Sequence, residues 1–197
     1  MSKLYIDDTN KKLYIFSYAG GTKFFRKMTE EKLHWIIPYD GNNLIPIHND
    51  YEVVQIVRDP VQRYMSWFDK QYVKNHIRRE KVTFVETWMQ NRFTKEWFEN
   101  FLEHQRHGIH YDGHTCYQSL WPRHFLKFIS DKEWKYLRME DINRYFFDSK
   151  PYTPRRDPNE YVGVWDTLDQ EIVDYVIAEL EKIYEGDIKW YKSLDFI

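Results

Sequence analysis

A short apolar run that stops at a proline constrains this chain most. Val53-Val54-Gln55-Ile56-Val57 has the composition of a buried strand. It ends at Arg58-Asp59-Pro60. Proline fits the first turn of a helix and no deeper, so Pro60 marks a switch from strand to helix, and the helix is predicted to reach about Arg79. Arg58 then falls at the carboxyl end of a strand, where open α/β sheets bind their ligands. Ser66 follows eight residues on, within the helix. An arginine fork and a serine hydroxyl suit a phosphate. The same residues also suit an arginine that caps its own strand and a serine on a helix face, and spacing alone leaves both readings open.

The rest of the chain alternates strand and helix patterns. Lys3-Leu4-Tyr5-Ile6 and Lys12-Leu13-Tyr14-Ile15 flank the turn formers Asp7-Asp8-Thr9-Asn10, which predicts a hairpin. A helix is expected from Thr22 to Met28 and a strand from Leu33 to Pro38. Thr83-x-x-Glu86, Ser130-x-x-Glu133 and Thr167-x-x-Gln170 read as capping boxes that open helices. Glu96–Glu103 is helical in pattern, and His104–Ser119 reads as irregular. A strand is expected over Trp134–Met139, a helix over Glu140–Phe147 and a proline-rich loop over Pro151–Pro158. Leu168, Ile172, Val176, Leu180 and Ile183 form an apolar stripe at helical spacing. Together these elements predict a three-layer α/β domain with a mostly parallel central sheet, and no composition break divides residues 1–197.

Charge and composition exclude several classes. The formal net charge is −2, against the basic excess usual for general nucleic-acid binding, so no nucleic-acid partner is expected. No apolar run approaches the roughly 20 residues of a membrane span, so no membrane partner is expected. Cys116 stands alone, so no internal disulfide framework is possible. Aromatic residues make up 19% of the chain, enough to build a core and still leave faces for a base or sugar.

Two further segments carry candidate chemistry. Ser17-Tyr18-Ala19-Gly20-Gly21-Thr22-Lys23 is a glycine-containing turn between a predicted strand and a predicted helix. Backbone N–H groups at such a turn cradle anions, although the Walker A spacing is not met. His104, His107, His110 and His114 crowd one segment, but no cysteine pair or carboxylate pattern completes a metal-ligand set.

Arg58-Asp59-Pro60-x-x-Arg63-x-x-Ser66 resembles the 3′-phosphate-binding segment of sulfotransferases that use 3′-phosphoadenosine 5′-phosphosulfate, most closely the Golgi-type carbohydrate enzymes and their bacterial and viral relatives. Ala19, Gly20, Gly21 and Thr22 match in order the family loop written P-K-x-G-[GST]-[ST]-[ST]. His114-x-x-x-Gln118-Ser119 is similar to its H-x-x-x-Q-S stretch, Tyr136–Ile142 to its strand ending in E-[DN]-[LI], and Trp165-x-x-Leu168-Asp169 through Asp187 to its tail.

The resemblance implies a P-loop-like fold and transfer of a sulfuryl group to a hydroxyl, expected on a saccharide. It places the 5′-phosphosulfate on Ala19, Gly20, Gly21, Thr22 and Lys23, the 3′-phosphate on Arg58 and Ser66, and Arg155 in a segment closing over the nucleotide. It implies no metal, because basic side chains and loop amides balance the charge. The family's loop lysine falls at Tyr18 here. Lys23 either reaches the phosphosulfate from the other side or points to solvent. His114 and His48 are both candidates for the base, and Arg155-Arg156 also fits a solvated basic pair. Golgi relatives carry an N-terminal anchor, whereas Met1–Asp8 lacks an apolar core, so a soluble cytoplasmic enzyme of a bacterium or virus is expected. Two rivals stand beside this reading: a nucleotide-binding protein that has lost catalysis, and a different nucleotide-dependent phosphotransferase.

Overall fold

The structure, a computed structural model, describes residues 3–7, 9–16, 36–38, 51–107, 115–120, 133–147 and 163–197. Among these the strands are β1 (Lys3–Asp7), β2 (Lys12–Phe16), β3 (Ile36–Pro38), β4 (Glu52–Val57) and β5 (Trp134–Arg138). The helices are α1 (Pro60–Trp67), α2 (Lys74–Glu80), α3 (Val85–Arg92), α4 (Lys95–Arg106), α5 (Ile142–Phe147), α6 (Val164–Thr167), α7 (Gln170–Ile183) and α8 (Glu185–Lys192). A π-helical stretch, Phe68–Val73, joins α1 to α2, and 3₁₀ turns lie at Gln118–Leu120 and Met139–Asp141. The chain forms two compact units. One lies within Met1–Asp59, Tyr117–Pro151 and Lys189–Ile197, the other within Pro60–Cys116 and Tyr152–Ile188. No described helix is long and apolar enough to cross a membrane.

The first unit is an α/β sheet of order β3-β1-β2-β4-β5. The expected hairpin is present, with Tyr5 opposite Tyr14 and Ile6 opposite Leu13. Its turn is held by the Asp7 carboxylate, which accepts from the Asn10 backbone N–H at 2.9 Å and side-chain amide at 2.7 Å. β3 adds antiparallel to β1, and Pro38, at its end, lies on the sheet edge where proline's missing donor does no harm. β2, β4 and β5 run parallel. The sheet is therefore mixed, with its parallel pairings around β4.

Register explains the burial. Paired residues share a face, so Ile6, Leu13, Ile15 and Val53 line one side with Trp134 and Tyr51 packed against them. On the other side Phe146 of α5 packs against Tyr14 at 5.3 Å. Val53 to Val57 are all buried, as an apolar run in a parallel strand should be. Beyond β5, Phe196 bridges to Tyr136, and the Ile197 N–H donates to the Tyr136 carbonyl at 3.1 Å.

The second unit packs around Phe68, which is fully buried. Rings of Tyr72, Trp165, Phe93, Phe98 and Phe101 lie 5.1 to 5.6 Å from it. Aromatic pairs at such distances add to the effect of burial alone. Phe68 opens the π stretch, whose wider turn displaces the hydrogen-bond ladder and leaves a carbonyl over. The Met65 carbonyl accepts from Trp165 Nε1 at 2.9 Å, and Asp69 accepts from the Val164 N–H at 2.9 Å.

Helix starts depart from two of the predicted capping boxes. α2 ends on Lys81 in the left-handed region (φ 51°), with the Val82 N–H returning to the Ile77 carbonyl at 3.1 Å. That closing turn pushes the next start past Thr83, so α3 takes Phe84 as its cap, without a side-chain bond. Thr167 closes α6 by donating to the Gly163 carbonyl at 3.0 Å, and Asp169 precedes α7 without a side-chain cap. A side chain does cap α4: Thr94 Oγ1 accepts from the Trp97 N–H at 3.2 Å. α4 also continues to Arg106, beyond the predicted end at Glu103. The Thr22–Met28 helix, the Pro151–Pro158 loop and Ser130 lie outside the described residues, and Glu133 precedes β5 without helical structure.

Candidate anion site at the end of the central strand

β4 delivers Arg58 to the carboxyl end of the sheet, between its parallel neighbours β2 and β5. The strand ladder ends at Val57, yet Arg58 is still held by its backbone. The buried amide of Gln118 accepts from the Arg58 N–H at 3.1 Å and donates back to the Arg58 carbonyl. A side-chain amide thus stands in for one more strand residue, which leaves the direction of the Arg58 side chain well defined.

That side chain is 24% exposed, and its buried Nε has no hydrogen-bond partner among the described residues. Among the described residues its one ion-pair contact is Glu140 at 3.6 Å, from the 3₁₀ turn that follows β5. Glu140 is half exposed, so the pair is loose and screened by water. Burial pushes the Arg58 pKa down, and Glu140, Asp59 and Tyr191 push it back up, leaving it lowered. Arginine stays charged through such a shift, so the site holds an under-bonded cation.

Neighbouring groups shape the surroundings. Burial raises the Tyr191 pKa, and Glu140 adds to the rise while Arg138 opposes it, so Tyr191 is a neutral phenol. Arg138 lies over the Phe196 ring at 4.3 Å, and Tyr191 packs on the same ring at 5.3 Å. Arg58 thus shares its surroundings with the Tyr191 phenol and the half-exposed Glu140 carboxylate.

Of the residues singled out from sequence, Arg58 and Ser66 are described. Ser66 is half-buried on α1, in the second unit, and its hydroxyl has no hydrogen bond among the described residues. Arg63, between them in the motif, is fully buried and donates Nη2 to the Cys116 carbonyl. It acts as a structural arginine within the second unit. Ala19, Gly20, Gly21, Thr22, Lys23, His48, His114 and Arg155 lie outside the described residues. His107, on the end of α4, meets Glu103 at 3.0 Å. Among the described residues no three His, Cys, Asp or Glu side chains gather as a metal site.

Sequence reasoning missed the two residues that set Arg58 up. Gln118 and Glu140 both lie in stretches that drew attention, but as pattern members without a role. Compared with known proteins, the chain matches no family model, no curated protein and no solved structure. The site is therefore read from its own chemistry.

Proposed function

We propose that the chain is a sulfotransferase that binds 3′-phosphoadenosine 5′-phosphosulfate, with Arg58 on the nucleotide 3′-phosphate, and transfers the sulfuryl group to a hydroxyl of a saccharide. The observation that carries the reading is the Arg58 guanidinium. It is largely buried at the end of a parallel strand, and among the described residues its Nε has no hydrogen bond and its one carboxylate contact is loose. A planar fork with unused donors fits a phosphate, and the carboxyl end of the sheet is where an α/β fold presents one. The proposal includes a three-layer, P-loop-like arrangement of the whole chain.

The donor nucleotide would supply the sulfuryl group and leave as adenosine 3′,5′-bisphosphate. In this reading Arg58 binds and orients the 3′-phosphate, which separates this donor from ATP. The resemblance adds Ser66 to that phosphate and the amides of Ala19, Gly20, Gly21 and Thr22 to the 5′ end, with Arg155 over the nucleotide. Lys23 would balance charge on the bridging oxygen, and His114 or His48 would take the acceptor proton. Positioning and charge neutralisation would provide most of the rate, by analogy with phosphoryl transfer.

Calorimetric titration with adenosine 3′,5′-bisphosphate, beside ATP with magnesium and an Arg58→Ala variant, tests this. Selective binding of the bisphosphate, weakened about 10- to 100-fold in the variant, is expected for loss of a charged hydrogen-bonding partner. Ser66→Ala tests the second residue separately. Preference for ATP, or equal binding by Arg58→Ala, would sink the reading. Tyr18, standing where the resembled loop carries lysine, favours a second reading in which the chain binds the nucleotide without turnover. Tight bisphosphate binding with no sulfuryl transfer to any saccharide would select it.

A further inference from the structure

The second unit carries a basic face that the net charge of −2 conceals. Lys70, Lys74, Arg78, Arg79 and Lys81 fall within twelve residues of the π stretch, α2 and its closing turn. Lys70, Lys74 and Arg78 stand at successive turns of one helical face. Phe68 and Val73 are buried on the other side, where Tyr72 stacks on Phe68 at 5.1 Å. Four of the five basic residues are exposed and Lys74 is half-buried.

None of these five has an ion-pair partner among the described residues. Elsewhere in the same unit basic side chains are matched. Lys95 meets Glu171, Arg106 meets Glu103 and Glu179, and Lys182 meets Glu179. The acids within the basic stretch are already committed: Asp69 to the Val164 N–H, and Glu80 to Arg92 and Trp88 Nε1. Like charges one turn apart weaken a helix, so this stripe works against the stability of α2.

Immediately beyond it, Phe84 is 79% exposed, the most exposed large apolar residue described. It follows Lys81 by three residues, within about 11 Å along the chain. We propose that this face docks on an anionic lipid surface, with Phe84 entering the headgroup region and the basic stripe lying over the lipid charges. An apolar tip beside long, unpaired cationic side chains is the chemistry of an interfacial contact, since lysine and arginine stems reach along apolar surface while their heads stay wet. Lysine is depleted in protein interfaces. A single-stranded nucleic acid needs a row of open aromatic faces, and here Tyr72 is stacked inward against Phe68.

Co-sedimentation of the full chain with phosphatidylcholine vesicles, with and without 30% phosphatidylserine, tests the proposal. Retention is expected only with phosphatidylserine and is lost in high salt. Each cation removed costs about fivefold in affinity, so the triple variant Lys70→Gln, Lys74→Gln, Arg78→Gln weakens binding about 100-fold. Phe84→Ala weakens it about tenfold at unchanged charge. Thermal unfolding should match the parent for Phe84→Ala, whose altered side chain lies in solvent, and should match or slightly exceed it for the triple variant, which relieves like-charge repulsion. Equal retention on uncharged vesicles overturns the proposal. So does full retention by Phe84→Ala on the anionic vesicles, which would mark a general anion-exchange surface.

Discussion

Replacing Gln55 with leucine should stabilise this protein. Gln55 lies in the middle of β4, is fully buried, and neither its Oε1 nor its Nε2 has a hydrogen-bond partner among the described residues. In register it faces Ile15 on β2 and Tyr136 on β5. A buried polar group without a partner costs about 1–3 kcal/mol, because water solvated it in the unfolded chain and nothing does so here. Leucine removes both orphaned atoms and keeps most of the volume. Its different branching gives back up to about 1.5 kcal/mol in imperfect packing. The net expectation is a gain of about 1 kcal/mol and at most about 3 kcal/mol, or very roughly 2–4 °C in Tm and at most about 12 °C for a chain of this size. Urea and thermal unfolding of Gln55→Leu measure it. Gln55→Glu is the control: the same shape with an unpaired buried charge should lose more than about 3 kcal/mol at neutral pH and recover as acid protonates it. The reasoning is refuted if Gln55→Leu lowers the urea midpoint. The amide would then be satisfied in solution, by a buried water bonded to both atoms.

Gln118→Leu should act at a distance in sequence. It orphans the Arg58 N–H and carbonyl, at about 1–3 kcal/mol each, and, on the proposed function, should weaken bisphosphate binding through Arg58; unchanged stability would show that water replaces the clamp. Phe68→Ala opens a cavity under five aromatic neighbours and should cost about 3–5 kcal/mol in urea unfolding, whereas a loss under 1 kcal/mol would mean the cluster collapses around it. The Lys182 ammonium and Arg106 guanidinium hold the Glu179 carboxyl below the usual glutamate range. Its stabilising effect is therefore present above about pH 4.3 and lost as pH falls through the lowered folded-state value. Tm measured from pH 7 to 3 should converge for parent and Glu179→Gln at the acid end; a constant gap would refute the assignment.

Much of the first unit was legible because its determinants are local. The Asp7–Asn10 turn formers announce the hairpin, and the Val53–Val57 run followed by Pro60 announces β4 and its helix. The stripe Leu168, Ile172, Val176, Leu180 and Ile183 announces α7. Helix starts were less legible. Thr83 and Thr167 have the right spacing for caps, but where a helix begins depends on how the preceding turn closes, at Lys81 and at Gly163.

For the candidate site the same division holds. Sequence alone determined that an arginine would stand at the end of a buried strand, since that needs only β-propensity and the geometry of proline. It could not determine what surrounds that arginine. Gln118 is 60 residues from Arg58 and Glu140 lies further still, so both contacts arise from strand order. The π turn at Phe68–Val73 likewise has no local mark; the partners of Phe68 come from α3, α4 and α6. Local preference is a property of neighbouring residues and can be read along a chain. The pairing of distant side chains is decided only when the sheet order and the aromatic core bring them within a few ångströms, because contact energies vanish beyond that range.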